Sequence, residues 1–231
     1  MVMDHGCLLR MKKTITEITA QKRNRRRVNI SLNGSYAFSL DRITAAWLRV
    51  GREMSDEEIE KLLLRDEAEV GFSQALNLLS RRSRSVAEMT RYLEGKGYDP
   101  TTLKAVLVRL KEEGLLNDDR FARDWIENRS TFRPRSQTQL KAELRFKGLA
   151  ESSIDTAIEE SGVDDSALAM AAARKQSHRY LSSDYETYRK KLGNALLRRG
   201  FSYATVSETL RAIWIEAHQT ETVELKNQWS N

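Results

Sequence analysis

The sequence predicts a mainly α-helical protein in which three tandem three-helix repeats form an elongated, curved array. A small β-hairpin or three-strand element and a short helical segment are expected before the repeats. Three observations predict this fold: a motif containing glycine recurs three times, apolar residues are spaced three and four apart around each copy, and an Asn-Gly pair separates two alternating runs near the N-terminus. The chain has 231 residues, of which 40% are hydrophobic and 31% charged, as is typical of globular rather than disordered proteins.

The recurring motif consists of a leucine, two variable residues, a cation, a glycine and a large apolar residue. It occurs at residues 93–98, 144–149 and 196–201. This order is typical of a helix that ends at the cation, with the glycine in a left-handed conformation and the following residue packed on the leucine. We therefore expect positive φ angles at Gly97, Gly148 and Gly200. Strain alone should make a Gly148→Ala substitution cost on the order of 1 kcal/mol.

Each repeat has room for three helices. The expected helices cover 70–82, 86–94 and 100–113 in repeat 1, 119–131, 137–146 and 151–160 in repeat 2, and 166–180, 185–198 and 203–217 in repeat 3. The predicted divisions of the chain are a disordered tail at 1–13, an N-terminal β-hairpin with a helical extension at 14–69, repeats at 70–116, 117–163 and 164–218, and a C-terminal tail at 219–231. Phe121 and Trp125 are four residues apart and mark a helix face that we expect to pack in the core.

The segment before the repeats contains two runs of alternating apolar residues on either side of Asn33-Gly34. This pattern predicts a β-hairpin. A two-residue loop would place the two apolar sets on opposite faces of the hairpin. We therefore predict a three-residue loop that pairs Leu32 with Tyr36 and Ile30 with Phe38.

Two further elements are expected around this hairpin. Residues 15–20 are a candidate third strand, because apolar and polar residues mix there with β-branched ones. Ser55 and Glu58 have the spacing of a capping box, which opens a helix predicted to continue to about residue 65.

The sequence contains no motif for catalysis or for a cofactor. It lacks a phosphate-binding loop, a nucleophile elbow and a zinc-binding H-E-x-x-H sequence, and Cys7 is its only cysteine. Asp118 and Asp119 stand where a helix should begin, which favours capping over a metal pair. No apolar stretch approaches the roughly 20 residues of a membrane span, and residues 1–10 lack the apolar core of a signal peptide, with Met11 as an alternative start. We expect a non-enzymatic, cytoplasmic protein without metal or cofactor.

The cations are the most informative polar residues, because they cluster near the end of the first helix or in the middle helix of each repeat. The net charge is +6, which favours a nucleic acid or an acidic protein surface as partner. If the repeats stack, the clusters form one basic stripe, although any single cluster is also compatible with a solvated helix face. The candidate interaction residues are Arg81, Arg82, Arg84, Arg129, Arg133, Arg135, Lys141, Arg145, Arg189, Lys190 and Lys191.

Three segments resemble a known family. Residues 78–85 with Glu88, residues 114–122 leading into Trp125 and Arg129, and residues 140–149 are similar to the repeat region of RecX proteins. The likeness extends over about residues 14–217 and departs at residues 133–136, where many relatives have a glycine before the helix.

The resemblance implies a function that composition does not show. RecX proteins bind the RecA recombinase and its filament on single-stranded DNA, lie in the helical groove of the filament, and limit its growth, ATP hydrolysis and strand exchange. The expected partners are therefore RecA and the RecA–single-stranded DNA filament, with DNA itself as a further partner, and the protein is expected to be a monomer. Small three-helix units also occur in helix-turn-helix domains, so a module that acts directly on DNA is the alternative.

Overall fold

The structure is a computed structural model that describes residues 12–228, with side chains through residue 218. The first eleven residues of the predicted N-terminal tail lie outside the described residues, as do residues 229–231 of the predicted C-terminal tail. The strands are β1 (Lys13–Ala20), β2 (Arg27–Leu32), β3 (Ser35–Asp41) and β4 (Glu53–Met54). The helices are α1 (Arg42–Ala45), α2 (Asp56–Leu79), α3 (Val86–Glu94), α4 (Pro100–Glu112), α5 (Asp118–Phe132), α6 (Gln137–Phe146), α7 (Glu151–Ser161), α8 (Asp165–Ser177), α9 (Tyr185–Leu197) and α10 (Tyr203–Gln228).

The hairpin of β2 and β3 has a two-residue loop, so the predicted three-residue loop is wrong. Asn33 and Gly34 both have positive φ angles, and Leu32 pairs with Ser35 rather than with Tyr36. A register shift after Ile30 inserts one extra residue into β3, and the strand pairs Ile30 with Phe38 as predicted. The bulge therefore restores the common face that a strict two-residue hairpin would lose.

The antiparallel sheet has the strand order β3-β2-β1-β4, and residues 15–20 belong to its third strand as expected. One face of the sheet is covered by α2. Ile30 and Phe38 contribute to an apolar core that also contains Ile59 and Leu62 of α2. The sheet thus buries its apolar side against the helix that the capping box begins.

Helix α2 is continuous from the capping box into repeat 1, so the predicted break between residues 65 and 70 is wrong. Both capping-box hydrogen bonds between Ser55 and Glu58 are present at its start. No glycine or proline occurs in residues 65–70 to stop the helix. Buried Asp66 lies within this stretch, accepts a hydrogen bond from the Asp41 amide and pairs with Arg27 at 3.1 Å. The stretch therefore anchors β2 and β3 to the helix.

The other repeat helices follow the predicted ranges to within a few residues, except that α10 continues past the predicted end at 217. In every repeat the first and third helices pack together, as α2 with α4, α5 with α7 and α8 with α10. Gly97, Gly148 and Gly200 have φ angles of 84°, 84° and 87°, which confirms the predicted left-handed helix ends. The last turn of α3 therefore ends in the same backbone conformation as the last turns of α6 and α9.

The described residues form two compact units. One contains the residues up to 84 together with 89–116, and the other contains 85–88 together with the residues from 117 onward. The core of the second unit is continuous from Phe121 in α5 to Ile213 in α10. The first residues of α3 are therefore packed with repeat 2.

Two equivalent junctions occur inside the second unit, where the start of one middle helix meets the end of the next. At the first junction, fully buried Ser85 donates to the Lys147 carbonyl at 2.6 Å and accepts from the Glu88 amide. Asp118 accepts from the Val86 amide at 2.9 Å. The first amides of α3 are therefore satisfied partly by repeat 2.

The second junction repeats this arrangement between α6 and α9. Fully buried Ser136 accepts from the Gln139 amide, and its own amide donates to the Arg199 carbonyl at 3.1 Å. Asp165 accepts from the Gln137 amide at 2.7 Å. The cap residues have the same helix positions at both junctions, but the carbonyl accepts from the Ser85 hydroxyl at the first and from the Ser136 amide at the second.

Candidate interaction surface

The three candidate arginines of repeat 1 lie in the loop between α2 and α3, because α2 ends at Leu79 and not at residue 82 as predicted. Arg81 and Arg82 are exposed, whereas Arg84 is half-buried. The Nε of Arg84 is buried without a hydrogen-bond partner. The loop therefore offers exposed cations, together with one guanidinium that the first unit leaves incompletely satisfied.

In repeat 2, two candidate arginines converge on one carboxylate. Glu143, whose side chain is 13% exposed, pairs with Arg129 at 2.7 Å and with Arg135 at 3.0 Å. The same carboxylate accepts from Trp125 Nε1 at 2.9 Å, and the Arg129 guanidinium lies 4.3 Å from the centre of the indole ring. Arg129 and Arg135 are therefore held by the fold, and only part of each guanidinium remains for a partner.

The other candidate cations of repeat 2 differ in their pairing. Lys141 forms an ion pair with Asp155, and Arg145 forms one with Glu151. The hydrogen bonds that Arg145 donates to Glu151 raise the pKa of Arg145 and lower the pKa of Glu151. Arg133 is exposed and forms no ion pair with any residue from 12 to 218. Arg133 is thus the candidate in this repeat whose charge is most available.

The candidates of repeat 3 lie on α9. Arg189 and Lys190 are exposed and line a groove of about 440 Å³ between α9 and α10, together with Arg211. None of these three cations pairs with a carboxylate among the described side chains. Lys191 lies 5.9 Å from the centre of the Tyr180 ring. The groove edge also carries Tyr203, which is 73% exposed.

The candidates are divided between the two compact units. Arg81, Arg82 and Arg84 belong to the first compact unit and the other eight to the second. Within the second unit, Glu143 brings Arg129 and Arg135 together, and α9 carries the three cations of repeat 3.

Sequence reasoning missed two cations at the junctions. Lys147 pairs with Glu88 at 2.7 Å, and both side chains are less than a fifth exposed. Arg199 is half-buried, and its Nη1 is buried without a hydrogen-bond partner. Burial, and then the neighbouring Arg135, lower the pKa of Arg199. The available signal was the cation that stands before the glycine in each copy of the motif.

Of the acidic pair at the start of α5, Asp118 acts as a cap, but for α3 and not for its own helix. Asn117 is the N-cap and accepts from the Arg120 amide, whereas Asp118 reaches the start of α3. Among the described residues, no group of three or more His, Cys, Asp and Glu side chains is arranged to hold a metal ion. Of the helices between residues 12 and 228, none is both long and apolar enough to cross a membrane.

Family models cover most of the chain. The model described as the regulatory protein RecX N-terminal domain matches residues 13–55. Those described as the first, second and third three-helix domains of RecX match residues 72–110, 117–158 and 164–210. The predicted starts of the three repeats at residues 70, 117 and 164 agree with these matches to within two residues, and the exact boundaries remain predictions.

Proteins and solved structures of the same name are similar to the chain. "Regulatory protein RecX" of Halalkalibacterium halodurans is 32% identical over 90% of this chain and 80% of its own length. That of Bacillus subtilis is 32% identical over 87% and 78%. A crystal structure of regulatory protein RecX superposes with a TM-score of 0.64 at 25% identity, covering 87% of this chain and 99% of the other. RecX from Lactobacillus salivarius shares the fold at a TM-score of 0.53, covering 64% and 97%. The chain therefore belongs to the RecX family of regulatory proteins.

Proposed function

We propose that this protein is a negative regulator of RecA, which binds RecA and the RecA–single-stranded DNA filament in its helical groove. It limits filament growth, ATP hydrolysis and strand exchange, and it catalyses no reaction itself. The observation that carries this proposal is the match of all four RecX domains, in order, between residues 13 and 210. The sequence resemblance implies the same partner.

The distribution of unpaired charge supports the choice of partner. Arg133, Arg189 and Lys190 are exposed and have no carboxylate partner among the described side chains, so their charge is not neutralised by the fold. A DNA–protein filament offers both phosphate groups and acidic side chains to such cations. Arg129, Lys141 and Arg145 are already paired, so they contribute less.

The test is the single-stranded-DNA-dependent ATPase of the RecA protein from the same organism, with the purified chain added. We expect the wild-type protein to suppress ATP hydrolysis. The triple variant Arg133→Glu, Arg189→Glu and Lys190→Glu should lose most of this suppression, because it reverses three cations that have no internal partner. Circular dichroism should show the same helix content as the wild type.

Matched controls separate the surface from the overall charge. Lys104 and Lys111 lie exposed on α4, outside the candidate set, and their reversal to glutamate should leave suppression nearly intact. Reversal of Arg81 and Arg82 tests the candidate loop of repeat 1 in the same assay. If the wild-type protein leaves the ATPase unchanged and binds one DNA sequence selectively, the helix-turn-helix alternative replaces the proposal.

A further inference from the structure

The two junctions differ at one pair of equivalent positions. At the first junction, Lys147 stands before the glycine of the helix end and pairs with Glu88, the third residue of the preceding middle helix. At the second junction, Arg199 stands before the glycine, and Gln139 is the third residue of the preceding middle helix. The second junction therefore has a cation, Arg199, at the position of Lys147, but it has the neutral amide of Gln139 where the first junction has the carboxylate of Glu88.

This replacement leaves Arg199 incompletely satisfied. Its backbone is fixed by the hydrogen bond from the Ser136 amide, and Gln139 lies against the adjacent Gly200, where an added Cβ would be 3.0 Å from the Gln139 Cβ. Nevertheless, the Nη1 of Arg199 is buried and has no hydrogen-bond partner. A buried guanidinium nitrogen without an acceptor is unfavourable, and an anion that supplies the acceptor would remove this cost.

A second guanidinium lies beside it. The Ser136–Arg199 hydrogen bond brings Arg135 next to Arg199, and the positive charge of Arg135 acts on the pKa of Arg199. Arg135 uses its Nε for Glu143, and its terminal nitrogens form no bond with any described side chain. Asp165 at this junction caps the Gln137 amide, as Asp118 caps Val86 at the first, so it does not account for the difference.

We propose that the second junction is an anion site that takes a phosphate group of single-stranded nucleic acid, with Arg199 and Arg135 as its ligands. Planar guanidinium groups bind phosphate oxygens through paired hydrogen bonds, which suits two arginines held side by side. Arg133 and Arg198 flank the site in sequence, are exposed and have no ion-pair partner among the described residues. Several cations close together in sequence fit a backbone that carries a charge at every nucleotide better than they fit one carboxylate of a protein.

The Lys147–Glu88 pair at the first junction suggests the variant that tests this site. Gln139→Glu places a carboxylate where Glu88 stands at the first junction, so that Arg199 gains the internal partner that Lys147 has. The side chains of glutamine and glutamate are nearly the same size, and the variant should be at least as stable as the wild type. Thr138→Glu adds the same charge at the exposed neighbouring position on α6 and serves as the matched control.

The measurement is the fluorescence anisotropy of a labelled oligothymidylate without RecA, titrated with each protein between about 50 and 200 mM salt. Gln139→Glu should bind about tenfold more weakly at the low-salt end, as expected for the loss of one charged hydrogen-bond contact. Its plot of log affinity against log salt should be shallower by about 0.7, the value for one phosphate contact on a single strand. Thr138→Glu should change affinity less than twofold and keep the slope. Arg199→Gln should reproduce the effect of Gln139→Glu.

Several outcomes would overturn the site. Equal slopes for Gln139→Glu and Thr138→Glu would show that no phosphate is bound there. Unchanged DNA binding with weakened binding to free RecA would assign the anion to a protein carboxylate instead. The choice of single-stranded nucleic acid as the ligand rests on the proposed function, but different results would refute the anion site and the proposed function. A wild-type protein that suppresses the RecA ATPase without binding bare DNA would leave the proposed function standing and remove the site.

Discussion

Substitution of alanine for a motif glycine should lower the free energy of unfolding by different amounts at Gly97 and Gly148, because the surroundings of the two glycines differ. Gly97 and Gly148 both have a φ angle of 84°, so alanine introduces the same left-handed strain at either position. An added Cβ at Gly97 would meet nothing within 4 Å, whereas at Gly148 it would lie 2.4 Å from the Cβ of Ala87 at the first junction. The Gly97→Ala variant therefore measures strain alone.

The structure thus revises the cost that the sequence predicts for Gly148→Ala. Left-handed strain costs about 1 kcal/mol for a residue with a Cβ. The contact with Ala87 involves two atoms fixed to the backbone, so it cannot be relieved by a rotamer change and adds the cost of overpacking, about 1–3 kcal/mol. We expect Gly148→Ala to lower the free energy of unfolding by about 2–4 kcal/mol, and Gly97→Ala by about 1 kcal/mol.

The assay is urea unfolding followed by circular dichroism, with Ala87→Gly as the partner in a double-mutant cycle. Ala87→Gly removes the atom that the new Cβ would meet. The double variant should therefore be more stable than the sum of the two single effects predicts, by about 1–3 kcal/mol. Additive effects, or equal losses for Gly97→Ala and Gly148→Ala, would show that the junction shifts freely and that close approach does not require glycine.

Two further predictions concern buried polar groups. Glu143→Gln should lower the free energy of unfolding by about 2–3 kcal/mol, because Arg129 and Arg135 lose their shared carboxylate in a half-buried site. Asp155→Asn, at the more exposed pair with Lys141, should cost less than about 1 kcal/mol. Equal losses of stability in urea unfolding would contradict this difference. Burial raises the pKa of Tyr188 to about 12, and its hydroxyl donates to the Leu210 carbonyl. The Tyr188 hydroxyl therefore ionises at a lower pH in the unfolded chain than in the folded protein. Its contribution to the free energy of unfolding is complete below about pH 10 and is lost as the pH rises towards 12. Tyr188→Phe should remove this part of the pH dependence, and a variant with an unchanged alkaline profile would show that Tyr188 does not cause it.

The repeats could be predicted from sequence because their signals are local. Each motif glycine closes the helix directly before it, and the cap residues lie within three positions of the amides they bind. The hairpin was only partly predictable, since the pairing of Ile30 with Phe38 depends on a bulge that the alternation pattern does not contain. The helix break after residue 65 was wrongly predicted because the sequence does not show that Asp66 of α2 contacts Arg27 of β2.

The candidate surface was less predictable, for a physical reason. A cation's availability depends on whether a carboxylate lies nearby in space, and the partners of Arg129 and Lys147 are 14 and 59 residues away in sequence. The sequence therefore weighted Arg129 and Arg189 equally, although the first is paired and the second is not. It also passed over Arg199, which faces the neutral Gln139 at the position where Lys147 has Glu88 as its partner.

The chemistry of the cap residue also determines which group can donate to the carbonyl at a junction. A serine hydroxyl both accepts and donates, so Ser85 caps its own helix while it bonds the carbonyl of the next repeat. The corresponding cap in repeat 3 is Asp184, which accepts from the Thr187 amide and is exposed. These hydrogen bonds lower the pKa of Asp184, and a carboxylate held in its charged form has no proton to give to another carbonyl. At this position an aspartate can bond a neighbouring carbonyl only through its backbone amide, which is the group that Ser136 uses towards Arg199 at the second junction.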